Sequence, residues 1–312
     1  MTWITPGRID PALDALVEHH RVHVGELRLH VVTAGEGPAV LLLHGVPDFW
    51  YGWRFQVRAL VEAGFSVVAP DLRGLGGSDR LHEVEDFGLD RVLVDVLGLL
   101  DALGIERAAA VVGHDWGGQI AWLLAMEHPD RLRRLAVLAA PHPARIPAMG
   151  RDPRQRLRLA WTRGLHTDLV PEWVLRAGGH RALRALIRRA SSRFGAVTEG
   201  DIDLYIDALG HPESTKACLD AWRSFLVAGP TLLKARMRPT PVPTLVLHGG
   251  RDPIVRPRHM APGDAWVPTC QASLIDGAGH WPHWDDPDPV NAQLIAWIAA
   301  GQNDAWDPVE PG

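Results

Sequence analysis

The sequence predicts an α/β fold: a mostly parallel, buried sheet whose construction is interrupted by a helical insertion. Three observations carry this. Short apolar runs flanked by glycine or proline, "AVLLLHG", "SVVAPD", "AAAVVG", "LAVLAAP" and "TLVLHGG", recur along the chain. They alternate with longer stretches of helical period such as "DRVLVDVLGLLDALG", which implies βαβ units. Strand runs then cease over residues 144–237, where helix formers and arginine dominate ("RDPRQRLRLA", "HRALRALIRRASSRF"), and resume in "TPVPTLVLHGGRDPIV". The chain therefore divides into a first part of the sheet domain (1–143), a helical cap (144–237) and a completing part (238–312).

The elements follow in order. "RVHVGELRLHVVTAG" alternates apolar and polar residues around a Gly-Glu turn and predicts an antiparallel hairpin at the sheet edge. "LLLHGVPDFW" runs a strand into a His-Gly-x-Pro loop, and "VVGHDWGGQIAW" runs one through a small-residue cluster into a helix. After the insertion, "GGRDPIV" places Asp252 just past a late strand, and "GAGHWPHW" places His280 on a loop after the last one. There are no internal repeats, and the tail "NDAWDPVEPG" is uninformative.

Composition narrows the function. A length of 312 residues with 46% apolar content supports a substantial core, and a net charge of -5 without a basic arm argues against nucleic acid. The insertion is more basic than the remainder, which suits either solvated helix faces or an anionic substrate. Two isolated cysteines, Cys218 and Cys270, form no disulfide framework or zinc site, so a reducing cytoplasm is the expectation. With no signal peptide and no run of about 18 apolar residues, no membrane association is expected.

Gly113-His114-Asp115-Trp116-Gly117 has the small-x-nucleophile-x-small spacing of a nucleophile elbow, with Asp115 at its apex. The same stretch would also suit an ordinary turn with an N-capping Asp. The chain order Asp115, Asp252, His280 favours catalysis, because it is the order nucleophile, acid, histidine of a hydrolase triad. The backbone N–H groups of Val46 and Trp116 are the candidate donors to a developing oxyanion. His44 reads as a structural residue rather than a base.

These segments, "HGVPDFWYGWR", "VVAPDLRGLGGSDR", "VGHDWGGQIAW", "HPDRLRRLAVLAAPHP" and "DGAGHWPHWDDPDPVN", resemble the epoxide hydrolase branch of the α/β-hydrolase fold, which neighbours the haloalkane and haloacetate dehalogenases. The resemblance implies an eight-stranded, mostly parallel sheet with helices on both faces and a helical cap inserted after the sixth strand. It implies a small organic substrate, an epoxide or an organohalide, and no metal or organic cofactor. A monomer or homodimer is expected. The choice of Asp over Ser then has a chemical reason: an sp³ carbon bearing a leaving group offers no acyl carbon, so a carboxylate displaces the group and becomes the ester itself. Water activated by His280, held by Asp252, would hydrolyse that ester.

One departure stands out. The family resembled here protonates its alkoxide with two cap tyrosines, but this chain has only Tyr51 and Tyr205. Those two places align with Trp161 and Trp222, whose indoles donate a hydrogen bond but release no proton. Either Tyr205 supplies the acid, or the indoles of Trp161, Trp222 and Trp116 cradle a halide that needs no proton. Trp161 and Trp222 packing within the cap is a third possibility. Against the halide, Val46 stands where haloalkane dehalogenases carry a polar contact. A non-catalytic, ligand-binding member of the fold is the remaining alternative, of a different class.

Overall fold

A computed structural model describes residues 9–81, 83–166, 170–193 and 196–302. Eight strands form one sheet: β1 (Val17–Val24), β2 (Leu27–Ala34), β3 (Ala39–Leu43), β4 (Ser66–Pro70), β5 (Ala110–His114), β6 (Leu135–Leu138), β7 (Thr244–Gly249) and β8 (Cys270–Ile275). Their spatial order is β1-β2-β4-β3-β5-β6-β7-β8. The β1–β2 and β2–β4 pairings are antiparallel and the rest parallel. The predicted hairpin is thus the sheet edge, and the His, Arg and Glu side chains exposed along β1 blunt it against further pairing.

The central strands are apolar on both faces because helices cover both. Leu41, Leu42 and Leu43 of β3, Val111 and Val112 of β5, and Leu135 to Leu138 of β6 are all buried. Each such Val or Leu contributes roughly 1.5–3 kcal/mol on burial. The longer helices are α1 (Arg54–Glu62), α2 (Leu89–Ala102), α3 (Asp115–Glu127), α4 (Val170–Ala190), α5 (Glu199–Leu209), α6 (Pro212–Arg236) and α7 (Pro287–Ala300). Nearly every residue of α3 is buried, including Trp116 through Met126, which is why its sequence is apolar all round instead of amphipathic.

Between β6 and β7 every described element is helical, from a turn at Pro143 to the end of α6. Helix α4 is broken where Gly178 and Gly179 take positive φ. Helix α5 starts at a capping box: Thr198 accepts the Asp201 N–H, and Asp201 accepts the Thr198 N–H in return. No described helix is long and apolar enough to cross a membrane.

The strand order also positions the site. The chain leaves β3 toward β4 on one side, then returns to place β5 on the other side of β3. The loops after β3 and β5 part at this switch point and open a crevice at the carboxyl ends of the strands.

Candidate active site

Helix α3 begins unusually close to β3. A Cβ on Gly113 would lie 2.5 Å from the Gly117 carbonyl oxygen, and one on Gly117 would fall into the carbonyls of Leu43 and His44. Only glycine allows this approach, and the chain between them turns through Asp115 at a φ of 48°, a left-handed conformation unusual for a non-glycine residue. The turn lifts the Asp115 carboxylate above the sheet at the N-terminus of α3, where the helix dipole favours negative charge.

Both carboxylate oxygens are engaged. Oδ1 lies 3.2 Å from Nε2 of His280, and Oδ2 accepts the Val46 N–H at 3.3 Å. The Trp116 amide also hydrogen-bonds the group. His280 presents its other nitrogen, Nδ1, to Oδ2 of Asp252 at 2.8 Å. Asp252 is fully buried; its Oδ1 accepts the N–H groups of Ile254 and Val255, and His248 approaches Oδ2 at 3.2 Å. Burial alone would raise the Asp115 carboxyl, yet the His280 hydrogen bond and charge hold it below its usual range. Burial likewise opposes ionisation of Asp252, and the charge of His280 with its hydrogen bonds holds that carboxyl well below normal. For His280, burial disfavours the cation, but the carboxylates of Asp252 and Asp115 push its pKa up to about 10.

A cavity of about 360 Å³ opens above Asp115, with mostly apolar walls that include Ala139, Pro141, Ile146, Met149 and Phe225. A second apolar cavity, about 890 Å³, lies among the helices of the insertion. Val46, Trp222 and Ile254 border both, whereas Asp115 borders only the first.

A profile of the α/β hydrolase fold matches residues 38–287. Epoxide hydrolase 4 of Mus musculus is 32% identical over 286 residues, covering 89% of this chain and 78% of the relative. The chain belongs to the α/β-hydrolase fold family, in its epoxide hydrolase-like branch. Epoxide hydrolase A of Mycobacterium tuberculosis is 30% identical to this α/β hydrolase over 313 residues, covering 89% and 96% of the two chains. The crystal structure of Epoxide Hydrolase A from Mycobacterium thermoresistibile superposes with a TM-score of 0.77 at 29% identity, covering 91% and 98%. The chain is accordingly a hydrolase.

Asp115, Asp252 and His280 are brought together in this hydrolase, and the Val46 and Trp116 amides meet Asp115. The three pocket residues expected around the leaving group are not gathered there. Tyr205, on helix α5 of the insertion, is buried and borders neither cavity; its hydroxyl reaches the sheet domain and donates to Oδ1 of Asp48 at 2.6 Å. The reason is a competing acceptor: Asp48 is almost fully buried and needs a donor. Trp222 does border the Asp115 cavity, but its indole N–H donates to the Val46 carbonyl at 3.2 Å and is not free for a halide. Trp161 is 48% exposed, borders only the second cavity, and packs edge-on against Trp222 with ring centroids 5.8 Å apart. Of the three indoles expected at the leaving group, that of Trp116 alone borders the Asp115 cavity with its N–H unpartnered.

His248 escaped the sequence reading. It sits in "TLVLHGG" four residues before Asp252, and a histidine at the end of that late strand was the available signal. His44 is structural as expected: its Nε2 accepts the Leu72 N–H and its Nδ1 donates to the Gly45 carbonyl.

Proposed function

We propose that this protein hydrolyses epoxides through a covalent ester on Asp115, with residues 144–237 acting as the cap over the site. The observation that carries the reading is the Asp115 carboxylate at the strained apex, with His280 on one oxygen and the Val46 amide on the other. The ionised carboxylate is the nucleophile toward an epoxide carbon. Its attack gives a hydroxyalkyl ester, whose carbonyl oxygen stays at the Val46 and Trp116 amides, where the tetrahedral oxyanion will develop. Esterification also discharges Asp115 and so removes one of the charges that hold a proton on His280. The ring thereby becomes a competent base after alkylation, when water has to be activated. Asp252 keeps the imidazole oriented throughout.

Relatives carrying the name epoxide hydrolase support this choice of leaving group. The halide alternative is weakened by Trp222, whose N–H is engaged elsewhere. The two cysteines, Cys218 and Cys270, are unpaired, which supports a reducing, cytoplasmic setting. The test is a paired assay on purified protein, following diol formation from a panel of small epoxides and halide release from haloalkanes and haloacetates. Diol without halide supports the proposal; halide release with no diol overturns it.

A further inference from the structure

The alkoxide formed when an epoxide opens needs a proton, and among the described residues no side chain that releases one near neutral pH borders the Asp115 cavity. Its polar lining is Asp115, Trp116, Gln119, Arg156, Thr162, Arg163 and Trp222. Indoles, amides, guanidinium groups and aliphatic hydroxyls hold their protons at this pH, and the Thr162 hydroxyl already donates to the Leu159 carbonyl. The chain's two tyrosines are both committed elsewhere: Tyr205 to Asp48, and Tyr51 to Oδ1 of Asp201 at 2.9 Å. Neither borders the cavity.

One transferable proton does touch Asp115. The ring of His280 lies between two carboxylates, with Nε2 at 3.2 Å from Asp115 and Nδ1 at 2.8 Å from Asp252. Ionised carboxylates only accept hydrogen bonds, so a carboxylate at each ring nitrogen favours hydrogen on both, an imidazolium. From this geometry we infer that His280 is the acid as well as the base: its Nε2 proton neutralises the departing alkoxide, and the same nitrogen then activates water. The inference rests on the epoxide reading above.

The protons balance. In the first step Oδ1 of Asp115 bonds to the epoxide carbon and the ring C–O bond breaks, leaving its electron pair on oxygen. That oxygen departs on the side opposite Oδ1, so the Nε2 proton, held at Oδ1, reaches it through one water. The result is a neutral hydroxy-ester beside a neutral imidazole. In the second step Nε2 takes a proton from water, and the hydroxide adds to the ester carbonyl. Collapse of the adduct returns an ionised Asp115 and a diol, with the imidazolium restored. The buried site carries one net negative charge at both stages: Asp115, His280 and Asp252 before, Asp252 alone after. The net charge of a low-dielectric interior therefore never has to change.

The groups that set the His280 proton are identifiable. Burial opposes it, the Asp252 and Asp115 carboxylates favour it, and the coulombic coupling to His114 and His283 opposes it. His114 packs with ring centroids 5.3 Å apart and spends its Nε2 on the His280 carbonyl. On the far side of Asp252 stand His248, at Oδ2, and Arg158, on the main-chain carbonyl.

The test is single-turnover formation of the protein adduct, read by intact mass, with two probes of matched skeleton: a terminal epoxide and the corresponding alkyl bromide, whose leaving group needs no proton. In the wild type, adduct formation from the epoxide falls about tenfold per pH unit once the imidazolium is titrated, near pH 10, while the bromide shows no such fall. In His280→Gln the bromide still alkylates Asp115, and the epoxide loses about a hundredfold or more, the usual worth of a general acid. Equal pH profiles for the two probes in the wild type, or epoxide alkylation in His280→Gln at the wild-type rate, overturn the assignment. If neither probe alkylates the wild-type protein, the ester mechanism itself fails and the inference falls with it.

Discussion

Replacing Tyr205 with Phe separates a structural tyrosine from a catalytic one. Asp48 is buried, and its Oδ1 accepts the Tyr205 hydroxyl at 2.6 Å and the Phe49 N–H at 2.8 Å. Burial pushes the Asp48 carboxyl up to about 7, against the pull of the Tyr205 hydrogen bond. The folded pKa lies above the unfolded value of 3.8. Ionisation of Asp48 therefore costs stability progressively as pH rises from about 4 through 7, and the tyrosine offsets part of that cost. At pH 8, where Asp48 is charged, losing the hydroxyl should remove a hydrogen bond to a charged acceptor, worth about 1.5–3 kcal/mol. At pH 6 the carboxyl is mostly neutral and the loss should shrink to about 1 kcal/mol. Urea unfolding at both pH values measures the difference, and diol formation measured in parallel should stay within about threefold of wild type. A loss of a hundredfold or more in turnover with unchanged stability would identify Tyr205 as the general acid and refute the placement.

Two further outcomes follow from the same geometry. Trp222→Ala should join the two cavities and raise kcat/KM for long apolar epoxides relative to short ones, as a competition assay across chain lengths would show; an unchanged preference would mean that Trp222 is no partition. The ion pairs of His280 should also be visible in stability against pH. Asp252, held far below 3.8, contributes stability above about pH 4 that is lost on acidification, and His280, raised from 6.5 to about 10, contributes below 6.5 what is lost as pH climbs through 10. The stability gap between wild type and His280→Gln should then be widest between about pH 4 and 6.5 and narrow by up to about 4 kcal/mol toward pH 10; a gap that widens with pH would contradict the assigned charge states.

What the sequence made legible was local chemistry. Gly113 and Gly117 mark the elbow because backbone contacts across one turn exclude any side chain, and such contacts write themselves into adjacent residues. Asp252 and His280 were readable for a related reason: each lies on the loop that follows a strand, β7 ending at Gly249 and β8 at Ile275, so an apolar run indexes its position. The partners of Tyr205 and Trp222 were not readable. Tyr205 meets Asp48 across 157 positions and Trp222 meets Val46 across 176. Which acceptor such a side chain finds depends on how the insertion settles on the sheet domain. Spacing along the chain carries no record of that. Trp161 illustrates the same limit, since its alignment placed it near the nucleophile while packing left it half in solvent against Trp222.

The central claim is that the Asp115 carboxylate forms an ester which water later cleaves at the protein's own carbonyl. The direct measurement is a single turnover with a small epoxide in water enriched in heavy oxygen, followed by proteolysis and mass analysis of the peptide containing Asp115. The account predicts one heavy oxygen in the Asp115 side chain and none in the first diol released. Label in the diol alone, with an unlabelled Asp115, would mean that water attacks the epoxide directly and would contradict the account.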